Sequence, residues 1–307
     1  MSPRPAKQKL IVIVGQTASG KSALAVTIAR HVGGEVISAD SRQVYRDLPI
    51  GSGIITKEDM FGVPHHMLAI ANPRNAYTAA TYQTDAREIV SDIATRGHIP
   101  VVAGGTGFYI DALIYDDILP EVTPDLALRK KLEKKTTQEL ANHLLSIDPE
   151  RAASIDIRNS RRLIRAIEIA TVLGSVPRIP SRRTSPYDIF WIGIRICDDV
   201  LIENIEKRNA AMFRKGLLAE IRTLRDKRIP WARIDELGFE YRYGAAHLRG
   251  EMTKEEALAR MNIATRQYAK RQKTWFQRNG DIRWFSPGDA EHILKNIDAF
   301  LADRPMM

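Results

Sequence analysis

The stretch from Leu10 to Ala29 constrains this chain more than any other. The apolar run Leu10-Ile11-Val12-Ile13-Val14 is followed by Gly15-Gln16-Thr17-Ala18-Ser19-Gly20-Lys21-Ser22 and then by Ala23-Leu24-Ala25-Val26-Thr27-Ile28-Ala29. That order gives a buried strand, a glycine loop and a helix. The spacing G-x-x-x-x-G-K-S is that of a phosphate-cradling P-loop. The two glycines let successive backbone N–H groups converge on one anion, and the helix adds the positive end of its dipole. Lys21 supplies a mobile point charge and Ser22 a hydroxyl for Mg²⁺. On the residues alone the alternative is a tight glycine turn with a surface lysine. Taken by itself the motif suggests ATP or GTP and phosphoryl transfer.

Further pieces of the same kind of sheet follow. Glu35 to Asp40 reads as a second short strand ending on a carboxylate. Ligands of open α/β sheets lie off the carboxyl ends of the strands, so Asp40 belongs near the glycine loop, or else caps a turn. Residues 48–73 read as a loop region, punctuated by Gly51, Gly53, Gly62, Pro64 and Pro73. Its His65-His66 pair has no cysteine or carboxylate at ligand spacing, which favours packing or hydrogen bonding over zinc. Apolar residues at helical spacing predict a helix from Ala79 to Thr95. Ile99 to Ala103 is a third buried strand. Gly104-Gly105-Thr106-Gly107 after it is a second permissive loop at the same edge, either a ligand-facing loop or a crowded strand-to-helix turn.

From Pro120 to Arg183 only capped helices are signalled. Thr123-Pro124 and Asp148-Pro149 place a cap before a first-turn proline, Thr136 with Glu139 forms a capping box, and Asn159 opens a helix that Gly174 stops. Arg158, Arg161, Arg162 and Arg165 recur three and four apart and share a face, solvated or RNA-binding. Pro177 to Pro186 is a linker. Ile189 to Ile194 restores the buried-strand pattern. The expected fold is therefore an α/β, P-loop NTPase-like parallel sheet core flanked by helices, built from residues 1–119 and 186–307, with an inserted all-helical domain at 120–185.

A helix from about Leu201 carries Arg208, at a phosphate or simply exposed, and Gly216 breaks it. The long helix from the Thr253–Glu256 capping box to about Arg278 puts Arg266, Lys270 and Lys273 on one face and Tyr268, Arg271 and Trp275 on another. Such interleaving of cations and rings suits a loop of single-stranded nucleic acid, although a core helix with a charged back has the same pattern. The formal net charge of +9 favours a polyanionic partner. Cys197, the single cysteine, precludes an intramolecular disulfide and is expected to be a buried structural thiol. The apolar run behind the basic N-terminus is too short for a signal peptide and no stretch reaches the length of a membrane span, so the expectation is a cytoplasmic protein with no membrane partner.

In order along the chain stand the P-loop, Ser38-Ala39-Asp40-Ser41-Arg42-Gln43-Val44-Tyr45, Val63-Pro64-His65-His66, Gly104 to Tyr109, Arg161 to Glu168, Gly216 to Glu220, and Ala269-Lys270-Arg271-Gln272-Lys273-Thr274-Trp275-Phe276. Together they closely resemble the tRNA dimethylallyltransferase (tRNA isopentenyltransferase) family, from about Ile11 to Trp284. The resemblance implies transfer of a dimethylallyl group from dimethylallyl diphosphate to the N6 amine of the adenosine 3′-adjacent to a tRNA anticodon, assisted by Mg²⁺. The adenosine would be flipped into a channel and meet the donor from the opposite side. Residues Gly15 to Ser22 would then hold the donor's diphosphate, with Ser22 on the metal and Lys21 and Arg208 stabilising the leaving group. Asp40 would be the general base and Thr106 would orient the adenosine. The resemblance gives Ser41, Arg42 and Gln43 contacts to the flipped base or its neighbours. It gives the anticodon arm to Arg129, Arg161, Arg162, Arg165, Lys270, Arg271, Gln272 and Trp275. A monomer is the family expectation. The same residues leave room for an adenylate isopentenyltransferase acting on a free nucleotide, a small-molecule P-loop kinase, or an RNA-binding protein with a vestigial P-loop. Three departures stand out: Ser52-Gly53-Ile54-Ile55 replaces the usual Thr-Ala-Lys-Pro, Asp235 and Glu236 bring acids before Gly238-Phe239, and Gln277 stands where arginine is usual.

Overall fold

Leu10 to Val14 are completely shielded from solvent, as a strand covered on both faces of a parallel sheet must be. The computed structural model describes residues 7–116, 119–120, 122, 125–178 and 184–302. β1 (Gln8–Gly15) leads through the glycine loop into α1 (Lys21–Val32) and β2 (Gly34–Ser38). β3 (His65–His66), α2 (Ala79–Thr95), β4 (Ile99–Gly104) and α3 (Gly107–Ile114) follow. The strand order is β3-β2-β4-β1, continued on the far side of β1 by β5 (Tyr187–Ile194) and β6 (Arg283–Phe285), with every pair parallel. The chain winds away from β1 in both directions. The crevice off the carboxyl end of β1 is therefore the topological switch point where such sheets take ligands, and the glycine loop leaves β1 there. Ile11, Ile13, Val36, Val101, Phe190 and Ile192 form one apolar face with Ala25 and Ile28 of α1 and Ile293 and Ile297 further on.

Several elements differ from the sequence reading for identifiable reasons. β2 ends at Ser38, so Asp40 lies just beyond the strand in the turn rather than on it. The loop at residues 48–73 contributes β3, too short to leave a periodic signal. Its histidines are hydrogen-bonded. His65 Nδ1 lies 2.8 Å from the Val63 carbonyl and His66 Nε2 2.7 Å from Glu35 Oε2; outside the loop, His98 Nδ1 lies 2.6 Å from Glu35 Oε1 and Arg96 grips the same carboxylate with two nitrogens. Arg96 and the two imidazoles hold the Glu35 carboxyl down at about 2, despite burial acting the other way. Cys197 is exposed, contrary to expectation, because the strand stops at Ile194 and Cys197 is already the N-cap of the next helix.

Chain contacts divide the molecule into two compact units, 1–114 with 185–307, and 115–184. The smaller unit holds α4 (Leu126–Leu132), α5 (Thr137–Ile147), α6 (Pro149–Ser154) and α7 (Ser160–Leu173) around Leu140, Leu144, Leu163 and Ile167. The Thr136–Glu139 capping box and the Asp148 and Asn159 caps are all formed. Asp148 also accepts from Val176 N at 2.7 Å, tying the end of the unit back to its middle. Thr123-Pro124 lies outside the described residues, as does part of the 177–186 linker.

The larger unit continues with α8 (Asp198–Lys215), α9 (Leu217–Asp226), α10 (Trp231–Glu236), α11 (Phe239–Leu248), α12 (Lys254–Phe276) and, after β6, α13 (Ala290–Ala302). The capping box at Thr253 opens α12 as its sequence requires. Among the described residues no helix is long and apolar enough to cross a membrane.

Candidate active site

The glycine loop is braced from outside its own sequence. Gly20 closes it in a left-handed conformation (φ 88°), which glycine adopts without strain, and α1 starts on the next residue. Thr17 N donates to Gln272 Oε1 at 2.8 Å, Asn204 Nδ2 to the Ala18 carbonyl at 3.3 Å, and Arg208 to Thr17 Oγ1. α8 and α12 thus hold the loop, twice by its backbone and once through the Thr17 hydroxyl. Lys21 Nζ folds back on the Gln16 carbonyl at 2.6 Å. Burial pulls the Lys21 ammonium down to about 8; the Asp40 charge opposes this and the Arg208 charge adds to it. Ser19 Oγ is buried without a hydrogen-bond partner, a polar atom awaiting an occupant of the loop.

The turn after β2 is built the same way. Asp40 Oδ1 accepts from Arg42 N at 2.8 Å, and among the described residues Oδ2 has no hydrogen-bond partner. Ser41 N donates to Thr106 Oγ1 at 3.0 Å, and Thr106 N donates to the Ala39 carbonyl at 3.1 Å. The Gly104–Gly107 loop therefore locks the Asp40 turn. Gly105 and Gly107 are needed for close approach: a Cβ would lie 2.2 Å from Gln272 Nε2 at the first and 2.3 Å from the Trp275 ring at the second. Burial, reinforced by Asp40, pushes the Tyr268 phenol up to about 12. The Glu240 carboxyl is also pushed up by burial, against the pull of Arg208 and Arg42. Asp40, Thr106, Lys21 and Arg208 are all brought to one edge of the sheet.

A family model described as IPP transferase matches residues 43–279, and one described as isopentenyl transferase matches residues 8–71. The chain belongs to the IPP transferase family. It is 38% identical to the tRNA dimethylallyltransferase of Halalkalibacterium halodurans, covering 97% of this chain and 98% of that one. Against the Bacillus subtilis protein of the same name the identity is 36%, over 97% and 98% of the two chains. The solved tRNA isopentenylpyrophosphate transferase from Bacillus halodurans superposes with a TM-score of 0.72 at 37% identity, covering 96% of both chains. A eukaryotic dimethylallyltransferase caught acting on tRNA gives 0.79 at 26% identity, over 97% of this chain and 81% of that one.

Within this IPP transferase several residues assigned to RNA by resemblance are occupied inside the protein. Gln272 is buried, and its two ends are taken by Thr17 N and by the Gly105 carbonyl at 2.8 Å. It is a strut between the two loops rather than a free RNA ligand. Arg42 donates to the Glu236 carbonyl, and Gln43 bridges Ser38 Oγ and the Gly53 carbonyl. Trp275 is half-buried over Gly107, with Arg278 stacked 4.4 Å from its ring. Lys270 and Arg271 are exposed. In the smaller unit, Arg129 and Arg165 converge on the buried Glu168 at 2.8 and 3.4 Å, so they neutralise a core carboxylate. Arg161 and Arg162 remain exposed on α7, whereas Arg158 precedes that helix and pairs with Asp156. The i,i+3 pair Arg165–Glu168 was visible in the sequence and could have warned of this.

Two supports escaped the sequence reading. Glu220 is buried and accepts from Ile50 N, Gly51 N and Tyr241 Oη at 2.7, 2.9 and 2.8 Å, which fixes the loop beside the site. Gln272 is the other. Gln272→Leu is expected to lower unfolding stability by about 1–3 kcal/mol, because it strands a buried N–H and a carbonyl. Urea titration checks this; an unchanged midpoint would show that the strut carries no load.

Proposed function

We propose that the chain transfers a dimethylallyl group from dimethylallyl diphosphate to the N6 amine of the adenosine 3′ of a tRNA anticodon, releasing diphosphate. One observation carries this reading. The P-loop lysine and Asp40, whose Oδ2 has no hydrogen-bond partner among the described residues, share one sheet edge closely enough for the Asp40 charge to act on Lys21. On this reading a diphosphate holder and a proton acceptor would stand side by side. In the reaction the donor's C1–O bond breaks and an N6–C1 bond forms. The amine's proton passes to Asp40 Oδ2, and the departing electron pair goes to diphosphate.

The allylic carbon gains positive character as diphosphate leaves, so the amine need not be ionised beforehand. Asp40 takes the proton as the bond forms. Lys21, Arg208 and the loop amides stabilise the departing charge. Thr106, already holding Ser41, orients the adenosine. The loop also fits Mg²⁺: Ser22 is exposed at the start of α1, Ser19 Oγ is unpaired, and magnesium needs only one or two protein oxygens beside substrate phosphates. Bound there by Ser22 and the donor, it would supply further positive charge to the leaving group. Exposed Lys270 and Arg271, together with Arg161 and Arg162 of the insertion, are the cations available to the anticodon arm, and the protein is expected to act as a monomer in the cytoplasm.

Labelled dimethylallyl diphosphate, Mg²⁺ and either unmodified tRNA or AMP test the reading. Label is expected in tRNA alone. Label in AMP alone would move the assignment to a free-nucleotide enzyme, and no label in either would overturn it.

A further inference from the structure

A groove of about 1090 Å³ runs along α1, and most of it lies beyond the residues used in the chemistry above. It starts at Ser22 and Arg208. From there it follows the α1 face through Val26, Thr27 and Arg30, facing Ala211, Met212 and Lys215 of α8. Residues 49–61 form its third wall, where Ile54 and Ile55 present apolar side chains. From Ser22 to His31 the groove floor extends about 13 Å, at roughly 1.5 Å per helical residue.

At the far mouth Phe61 is 67% exposed and held at a positive φ of 49°, a conformation that bulky residues avoid. Its ring lies 5.8 Å from the Arg30 guanidinium. Neither Asp40 nor Thr106 lines the groove. A ligand there would touch the diphosphate end of the site but not the base. Clefts of roughly 300–1,000 Å³ hold drug-sized molecules, and a five-carbon chain would leave most of this one empty.

We infer that the groove binds prenyl diphosphates longer than the donor, with the diphosphate on the P-loop and the tail between α1 and α8, as ligands that do not react. The inference rests on the reading of the P-loop as a diphosphate holder. The occupant follows from the layout. Arg208 sits at the P-loop end, Val26, Ile50, Ile54, Ile55 and Met212 give the lining an apolar majority among which Arg30, His31, Asp59 and Lys215 also stand, and the run is long enough for ten or more carbons. A tail lying there is turned away from Asp40, so its C1 is not presented to an amine. The groove would make the enzyme sensitive to the supply of longer prenyl diphosphates without transferring them.

Farnesyl diphosphate, added to the transfer assay with tRNA, Mg²⁺ and dimethylallyl diphosphate, is expected to compete with the donor and to leave no farnesyl group on tRNA. By calorimetry it is expected to bind at least about tenfold more tightly than inorganic diphosphate, since several methylenes are buried. Thr27→Trp and, independently, Ala211→Phe fill the groove from positions outside the reaction machinery. Each is expected to raise the farnesyl inhibition constant about tenfold while the donor KM stays within about threefold. Equal affinity for farnesyl diphosphate and diphosphate, inhibition untouched by both fillings, or farnesylated tRNA would each overturn the inference. Absence of transfer from dimethylallyl diphosphate itself would instead count against the function, and the calorimetric comparison would still judge the groove.

Discussion

Asparagine at position 40 is expected to slow single-turnover transfer by about two to four powers of ten, the range for a lost general base. The substitution preserves shape. Its side-chain oxygen can still accept from Arg42 N, which lies 2.8 Å from Asp40 Oδ1, so the turn is kept. What disappears is the basic second oxygen. Because the lost interaction is made only as the proton moves, kcat and kcat/KM should fall together and tRNA affinity should stay within about threefold. Removing the Asp40 charge also removes the attraction that holds Lys21 partly up in its proton affinity. Lys21 in the variant therefore loses its proton at a lower pH than in the wild type, so donor affinity is compared across a pH series well below 8 rather than at one value. Lost tRNA binding with normal single-turnover chemistry would refute the base role.

The parts of the fold legible in the sequence are those whose signal is local. A five-residue apolar run before a glycine loop can only be a buried strand. Helical spacing bounded α2 at Ala79–Thr95, and the capping boxes at Thr136 and Thr253 announced α5 and α12. β3 has two residues and β6 three, too few to show a period. α10 spans six residues and has no side-chain cap, so nothing marks its start. These elements exist because the neighbouring strand or helix offers them partners, which no window of sequence displays.

The same distinction runs through the site. Asp40 and Thr106 could be placed because strand ends face the ligand side of a parallel sheet. Gln272 could not, since its partner Thr17 is 255 residues away. A glutamine amid Lys270, Arg271 and Lys273 looks like part of an RNA-binding face until the helix is rotated onto the P-loop. Arg129 was similarly ambiguous, because its partner Glu168 is an ordinary acid in sequence and a buried one in space. A buried carboxylate with one cation removed costs more than a solvated pair, which explains why these arginines are committed to the core.

Methionine at position 21 is expected to lower kcat/KM for the donor by about two to three powers of ten, as loss of one preorganised charge at a developing anion does. The length and apolar stem of lysine are retained, so loop packing is a minor term. The wild-type enzyme should carry the same information in its pH dependence. With Lys21 near 8 in the free protein, the ammonium is present below that pH and is lost above it. A bound diphosphate raises the lysine's proton affinity, so donor affinity should fall as pH rises through about 8, by up to tenfold per unit, until the bound form also loses its proton. Stability of the donor-free protein should move the other way. Between about 8 and the unfolded value near 10.4 the unfolded chain keeps a proton that the folded chain has released, so Lys21 makes stability increase with pH across that window. Isothermal titration of inorganic diphosphate against pH, on wild type and Lys21→Met side by side, separates this residue from the ligand's own ionisation. The ligand contributes equally to both proteins, and only the difference belongs to Lys21. A parallel decline in the two proteins above pH 8 would remove Lys21 from the diphosphate site.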